Sequence, residues 1–185
     1  MMKRPPRYDL PNAAPEPLRL VQLFLNTTDH EHGRELIGKA DDLGAWLAEQ
    51  DLPVRSLGPA AVRRAQQLRE ALRTLVAEGR VTRPLEEAAE RARLAVDFEA
   101  PRLVPQAAGI DGALGAIVAV AYDAMRDGSW ERLKTCRNCR WAFWDESRNR
   151  SAQWCSMQLC GNRLKVRRYR SRSATPRSAR SRRAP

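Results

Sequence analysis

The sequence lacks long apolar stretches and is poor in aromatic residues. It has no run of about 18 apolar residues, the length that a membrane-spanning helix needs, so no insertion into a membrane is expected. The basic residues at its start are not followed by an apolar segment, which argues against a secretion signal and for a reducing, cytoplasmic location. Aromatic residues account for 6% of the chain and hydrophobic residues for 43%. A core of mainly Leu, Val and Ala is therefore expected, which suits packed helices better than a β-sandwich.

The sequence also lacks the short motifs of the common enzyme classes. It has no P-loop, no GxGxxG dinucleotide fingerprint, no HExxH motif and no nucleophile elbow. Its acidic residues are scattered over predicted helix faces, so no paired general acid and base can be named. We therefore predict that the protein is not an enzyme. An enzyme with a polar pocket in residues 18–130 and a purely structural C-terminal module is an alternative hypothesis.

Positive charge is concentrated at one end of the chain. The formal net charge is +11 and the pI is about 10.5. From residue 131 onward the sequence has 16 Lys and Arg against three acidic residues, whereas residues 1–130 carry a net charge of −2. A cationic end on a near-neutral body attracts polyanions, with nucleic acid as the first candidate and an anionic protein or membrane surface as the second.

Hydrophobic periodicity predicts an α+β fold that is mainly α. Apolar residues at helical spacing, together with proline and glycine at the ends, predict four helices before residue 130. The predicted helices begin at Asp41, Pro59, Thr82 and Gly109, and the last three end at Gly79, Arg91 and Asp127. The fourth helix is the most apolar and is expected at the centre of the core. Trp46 in the first of them is expected to be a core residue.

Two segments predict strands, and composition suggests the domain boundaries. The apolar run Leu18–Leu25 predicts a buried strand, and a polar turn follows it. Alternation between Leu94 and Leu103, with a turn near Pro101, predicts a β-hairpin. The predicted organisation is a disordered leader (1–16), a helical N-terminal domain (17–128), a small module of treble-clef or zinc-ribbon type ending in a basic helix (129–172), and a disordered basic tail (173–185).

All four cysteines lie close together, in the pattern Cys136-x2-Cys139-x15-Cys155-x4-Cys160. Two short-spaced pairs about 15–20 residues apart are typical of a structural Zn²⁺ site, because each pair aims two sulfurs at one point and the chain between them returns to complete a tetrahedron. Four protein ligands leave no position for water, so a structural ion is expected. Cysteines without a metal, two disulfides and an iron–sulfur cluster are the alternatives, and the lack of an export signal argues against disulfides.

A basic segment follows the last cysteine directly, and Ser156 or Asn162 could cap a helix there. Lys and Arg on phosphates release counterions, and Arg can read guanine edges in the major groove. We therefore predict DNA as the partner, with RNA, an anionic protein, a membrane surface or no partner as alternatives. The predicted nucleic-acid contacts are Arg163, Lys165, Arg167, Arg168, Arg170 and Arg172. For RNA, the residues that could stack on unpaired bases, if exposed, are Trp141, Phe143, Trp144 and Trp154.

The first 130 residues contain fewer candidate site residues. Asn26, Thr27 and Asp29 follow the predicted buried strand, where polar groups could bind a small-molecule effector; ordinary turn capping is the alternative. His30 and His32 could bind a second metal or lie in a solvated loop. Neither pattern specifies a ligand.

The segment CRNCRWAFWDESRNRSAQWCSMQLCGNRLKVRRYR resembles the CGNR zinc-finger proteins of bacteria, whose name is found here as Cys160-Gly161-Asn162-Arg163. The likeness rests on WCSM, the DESRNR turn and the RRYR helix. The preceding part is similar to the ABATE-type domain through LFLNTTD, the WL helix and the hairpin before a long apolar helix. The resemblance implies four zinc-ligating cysteines, at Cys136, Cys139, Cys155 and Cys160. It further implies a stress-related transcription regulator. We expect this regulator to be nucleoid-associated, with an N-terminal domain that senses a ligand or forms a homodimer.

Overall fold

The computed structural model describes residues 12–162, which form five α-helices and three antiparallel two-stranded sheets. The helices are α1 (Arg19–Leu25), α2 (Ala40–Glu49), α3 (Pro59–Glu78), α4 (Arg83–Ala92) and α5 (Gly109–Asp127). The strands are β1 (Thr28–Asp29) with β2 (Arg34–Glu35), β3 (Leu94–Asp97) with β4 (Arg102–Pro105), and β5 (Leu133–Thr135) with β6 (Ala142–Trp144). A 3₁₀ turn spans Ser129–Arg132 and a π-type turn spans Met157–Gly161. The predicted mainly α class of the α+β fold is confirmed.

The helix ends follow the local signals in the sequence. Helix α3 begins at Pro59 and ends before Gly79, whose φ of 66° is the left-handed conformation that glycine adopts without steric cost. Helix α5 ends in the same way before Gly128. Helix α2 begins at Ala40, with Lys39 at the capping position, and Asp41 and Asp42 lie in its first turn, where their charge complements the helix dipole.

The strand predicted at Leu18–Leu25 is wrong, because residues Arg19–Leu25 form helix α1. A short apolar run can be buried as a strand or as a helix, and periodicity alone does not separate the two. The N–H of Arg19 donates to the carbonyl of Pro15 at 3.0 Å, which starts the helix immediately after the prolines. The turn predicted after this run contains the short β1–β2 hairpin.

One hydrophobic core joins α1, α2, α3 and α5. Phe24 and Trp46 are buried and their ring centroids lie 5.5 Å apart, so the prediction of Trp46 as a core residue is confirmed. The predicted β3–β4 hairpin is also present and packs against α5. The same core includes Leu133 of β5 and Ala142 of β6, which lie in the cysteine-rich part of the sequence. Residues up to Cys155 therefore form a single unit, and Ser156 begins a second one.

The end of the predicted leader is packed against this unit. Ala14 is buried, and its N–H donates to the side-chain carbonyl of Gln22 at 2.7 Å. The carbonyl of Asn12 accepts the N–H of Trp144 at 3.0 Å. Residues 12–16 thus contact both α1 and β6. Within residues 12–162, no helix is long and apolar enough to cross a membrane.

The packing of α5 depends on the absence of a side chain at Gly115. A Cβ at this position would lie 2.3 Å from the Cβ of Ala92 and 3.1 Å from that of Pro105. We predict that Gly115→Ala lowers the free energy of unfolding by about 1–3 kcal/mol through overpacking. The control is Gly44→Ala in α2, where the new Cβ meets Leu57 at 3.4 Å and should stabilise the helix by about 0.5–1 kcal/mol. Urea denaturation of both variants tests this; equal effects would contradict the packing described here.

Candidate metal centre

The four cysteine sulfurs converge on one point. All four lie within 4.8 Å of one another, and each cysteine is buried. The sulfurs of Cys139 and Cys155 are 3.6 Å apart, and none of the four cysteines forms a disulfide. Tetrahedral zinc with Zn–S bonds of about 2.3 Å requires sulfurs about 3.8 Å apart. The donor set and its spacing therefore fit one Zn²⁺ ion with four thiolate ligands.

The first cysteine pair lies on a tight turn after β5. The N–H of Cys136 donates to the carbonyl of Trp141, and the N–H of Arg140 donates to the carbonyl of Cys136, both at 2.8 Å. Arg140 has a φ of 61°, which lets the chain reverse directly into β6. This geometry brings the two sulfurs to the same side of the turn.

The chain between the two pairs is held by the buried carboxylate of Asp145. It accepts the ammonium of Lys134 at 2.6 Å and the backbone N–H groups of Ser147 and Ala152 at 2.9 and 3.0 Å. Burial alone would raise the pKa of Asp145, but these hydrogen bonds outweigh it and lower the pKa to about 2. The carboxylate therefore stays ionised at neutral pH and fixes the turn that returns the chain towards Cys155.

The second pair is arranged by a cap on the π-type turn. The side-chain oxygen of Ser156 accepts the N–H of Leu159 at 3.2 Å, and its carbonyl accepts the N–H of Cys160 at 3.0 Å. The Ser156 cap expected from the sequence is thus present, on a turn of five residues.

The thiols of the cluster cannot all ionise without a cation. Hydrogen bonds from Cys139 and Cys155 lower the pKa of Cys136, so one thiolate is stabilised by its neighbours. The hydrogen bond to Cys136 raises the pKa of Cys139 to about 12, and the same interaction raises the pKa of Cys155. A divalent cation therefore favours the thiolate forms of Cys139 and Cys155, and the thiolate is the ligand form that metals bind.

The helical domain contacts the first cysteine turn through two buried polar side chains. The amide of Asn26 accepts the N–H of Ala142 and donates to its carbonyl, both at 2.8 Å. The guanidinium of Arg73 donates to the carbonyl of Arg140 at 2.7 Å and also to the carbonyl of Leu25. Both side chains are nearly inaccessible, at 4% and 2% exposure. The turn that holds Cys136 and Cys139 is thus bonded to α1 and α3.

A buried ion-pair network surrounds Arg73. Arg69, one helical turn earlier, makes two 2.7 Å hydrogen bonds to the carboxylate of Glu35 and a 2.9 Å bond to the hydroxyl of Thr27. Glu70 pairs with both arginines. Burial would raise the pKa of Glu70, but the charge of Arg73 and the bond from Arg69 lower it. The two buried arginines are therefore compensated by carboxylates whose side chains are partly exposed, at 32% for Glu35 and 41% for Glu70.

The residues predicted to bind an effector hydrogen-bond within the protein. Asn26 clamps Ala142, and the hydroxyl of Thr27 donates to the carbonyl of Phe24 at 2.8 Å. Asp29 accepts the N–H of Glu31 at 3.0 Å and lies 2.7 Å from Nδ1 of His32. Turn capping and packing thus account for these contacts, and ligand binding by them stays a prediction. Among residues 12–162, the structure brings three or more potential metal ligands together in one place, which is the cysteine cluster.

The six predicted nucleic-acid contacts, residues 163–172, lie outside the described part of the chain. Of the aromatic residues considered for RNA stacking, Trp141 and Phe143 are buried, with 5% and 1% exposure. Trp144 is half-buried and packs against the core. Trp141 and Phe143 therefore cannot stack on bases in this conformation.

Sequence reasoning missed Arg69, Arg73 and Asp145 as residues that support the site. The two arginines lie four positions apart beside the apolar positions of α3, next to Leu68 and Leu72. Arginines on the buried side of an amphipathic helix are a usable signal, because such charges require a partner in the interior.

A small helical domain that ends in a buried four-cysteine centre defines a zinc-finger protein with a structural metal site. Two family profiles match the chain: a CGNR zinc finger over residues 132–173, and the ABATE family, described as "Putative stress-induced transcription regulator", over residues 18–128. The comparison with curated proteins found no match. The chain belongs to the ABATE family and carries a CGNR zinc finger after the ABATE region, and neither description is that of an enzyme.

The metal centre predicts proton release on zinc binding. Cys139 and Cys155 have raised pKa values and are protonated near pH 7.5 in the metal-free protein, so zinc must displace their protons. We expect calorimetric titration in buffers of different ionisation enthalpy to show about two or more protons released per zinc, with affinity falling as the pH falls. Binding without proton release would contradict thiolate ligation. Cys155→Ser should weaken zinc binding strongly, whereas Ser151→Ala on the adjoining exposed loop should not.

Proposed function

We propose that this protein is a DNA-binding transcription regulator that acts in the cytoplasm, at the nucleoid. The observation that carries the proposal is the position of the metal centre directly before the basic segment. Residues 163–185 contain ten Lys and Arg and no acidic residue, and they begin two positions after Gly161 in the π-type turn. A rigid four-thiolate centre would give this segment a defined starting point and direction.

Charge supports a polyanionic partner. Among the described finger residues, Lys134 pairs with Asp145 and Arg150 pairs with Glu131, so these cations are already neutralised within the protein. Residues 131–162 carry six Lys and Arg against three acidic residues, so most of the excess positive charge, the ten cations of residues 163–185, comes after the metal centre in the sequence. Each Lys or Arg that neutralises a phosphate releases counterions, which makes such binding strong at low salt and weak at high salt.

The N-terminal domain is proposed to sense a small molecule or to form a homodimer. An open groove of about 540 Å³ lies between α3 and α4, within the size range of small-molecule sites. Its lining includes the polar side chains of Arg63, Gln67, Glu70 and Thr74. Glu70 also pairs with Arg69 and Arg73, so a ligand in this groove would act on the buried network beside the cysteine turn.

RNA binding is the second candidate. A cationic segment attracts RNA as well as DNA, but two of the four aromatic side chains considered for base stacking are buried. Base stacking on exposed aromatics contributes much of the affinity of single-strand binders. The burial of Trp141 and Phe143 therefore favours DNA. Gel-shift assays with single-stranded RNA and duplex DNA of equal length separate the two candidates.

Arg167 and Arg168 are expected to contribute to the salt dependence of DNA binding. Replacing both with Ala should weaken binding and reduce the slope of log affinity against log salt by about 0.9 for each phosphate that is no longer neutralised. The matched control replaces Arg63 and Arg80, two exposed arginines of the N-terminal domain, and should leave the slope unchanged. Fluorescence anisotropy at several salt concentrations provides the measurement. An unchanged slope in the Arg167/Arg168 variant would remove these residues from the interface.

A further inference from the structure

The backbone of the first cysteine turn is bonded to side chains of the N-terminal domain. Asn26, at the end of α1, satisfies both the N–H and the carbonyl of Ala142. Such a two-point bond fixes the position and direction of β6 immediately after the turn that holds Cys136 and Cys139. Asn26 therefore fixes the backbone of the finger at Ala142, although it lies about 115 positions earlier in the chain.

Arg73 makes an equivalent bond at the turn itself. Its guanidinium donates to the carbonyl of Arg140, the residue that follows Cys139 and has the left-handed backbone conformation. The same guanidinium donates to the carbonyl of Leu25 and pairs with Glu70. A buried arginine with all these partners cannot move without leaving charges and carbonyls unsatisfied. The cysteine turn is thus linked to α1 and α3 at one point.

Apolar packing continues the same connection. Leu133 in β5 and Ala142 in β6 are buried at 2% and 0% exposure within the core formed by the helices. Trp130 and Trp144 pack against that core from either side of the cysteine turn. The β5–β6 hairpin, which leads into and out of the first cysteine turn, therefore packs into the core of the N-terminal domain. Cys160, by contrast, belongs to the unit that begins at Ser156.

We propose that Asn26 and Arg73 are positioning residues of the metal centre, so that the N-terminal domain sets the zinc affinity of the finger. The β5–β6 hairpin stays formed without metal, and zinc orders residues 156–162 by binding Cys160. This role concerns the metal centre alone and does not rest on DNA binding.

Coupling between the N-terminal domain and the metal follows from these bonds. A change in α1 or α3 that moved Asn26 or Arg73 would alter the geometry of Cys136 and Cys139 and hence metal affinity. By linkage, zinc binding must favour the arrangement of α1 and α3 in which both bonds are made. The N-terminal domain and the finger therefore regulate each other through these bonds.

Zinc affinity in the full chain tests the positioning role. The variants are Asn26→Ala, which removes both bonds to Ala142, and Arg73→Lys, which keeps the buried charge but loses the planar, multidentate donor set. Each should weaken zinc binding about 10–100-fold in competition with a chelator, the usual effect of losing a group that orients metal ligands. The matched control, Arg80→Lys just after α3, changes an exposed arginine outside the groove and should bind zinc like the unchanged protein. Affinity equal to the control in both variants would overturn the proposal.

A metal-free measurement keeps the proposal testable if a variant folds poorly. In the chelated, reduced wild-type protein, hydrogen exchange should remain slow at the amide of Ala142, which donates to Asn26, and become fast at the amides of Leu159 and Cys160. Readdition of zinc should slow hydrogen exchange again at the amides of Leu159 and Cys160. Rapid exchange at Ala142 in the metal-free protein would show that the β5–β6 hairpin needs zinc to form. Slow exchange at Cys160 would show that the turn carrying Cys160 forms without zinc. Either result would overturn the proposal.

Discussion

The structure depends on the convergence of four sulfurs that repel one another once they are ionised. Buried thiolates close together are unfavourable without a cation. Hydrogen bonds to Cys136 are the main cause of the raised pKa values of Cys139 and Cys155, and burial and the charge of Cys136 raise them further. Zinc turns the repulsion into four bonds, and in small modules the binding free energy is about 10–16 kcal/mol, which is comparable with the stability of a whole domain. The π-type turn that carries Cys160 follows from this constraint.

The finger does not stand apart from the rest of the protein. Small metal-bound modules often lack a core of their own, and here the first half of the finger takes its core from the helices through Leu133 and Ala142. Hydrogen bonds from Asn26 and Arg73 to the backbone of the finger fix the orientation of the β5–β6 hairpin on this core. The ABATE region and the CGNR zinc finger match separate segments of the sequence, yet the described residues up to Cys155 share one core. A change in the N-terminal domain would thus reach the metal centre through this shared core, without any change in the metal ligands themselves.

The sequence predicted the features that depend on local chemistry. The cysteine spacing predicted the metal centre, and Pro59, Gly79 and Gly128 marked helix ends because their backbone preferences act locally. The prediction of a strand at Leu18–Leu25 is wrong because a short segment with six apolar residues out of eight has no periodicity that separates strand from helix. The choice is made by tertiary packing on α3 and α5.

The polar network could be predicted only in part. Arg69 and Arg73 lie on the buried side of α3, which signals a need for partners, but apart from Glu70 their partners lie more than 30 positions away. Asn26 stood out as a polar residue after an apolar run, yet its bond to Ala142 depends on how two distant segments pack. Long-range bonds of this kind have no local sequence pattern, which is why their role emerged only from the structure.

X-ray absorption at the zinc edge of the purified, reduced protein tests the central claim most directly. Four sulfur ligands at about 2.3 Å, with no nitrogen or oxygen in the inner coordination sphere, are expected from a centre made by Cys136, Cys139, Cys155 and Cys160. A protein that retains no zinc, or a spectrum that requires nitrogen or oxygen ligands, would contradict the account.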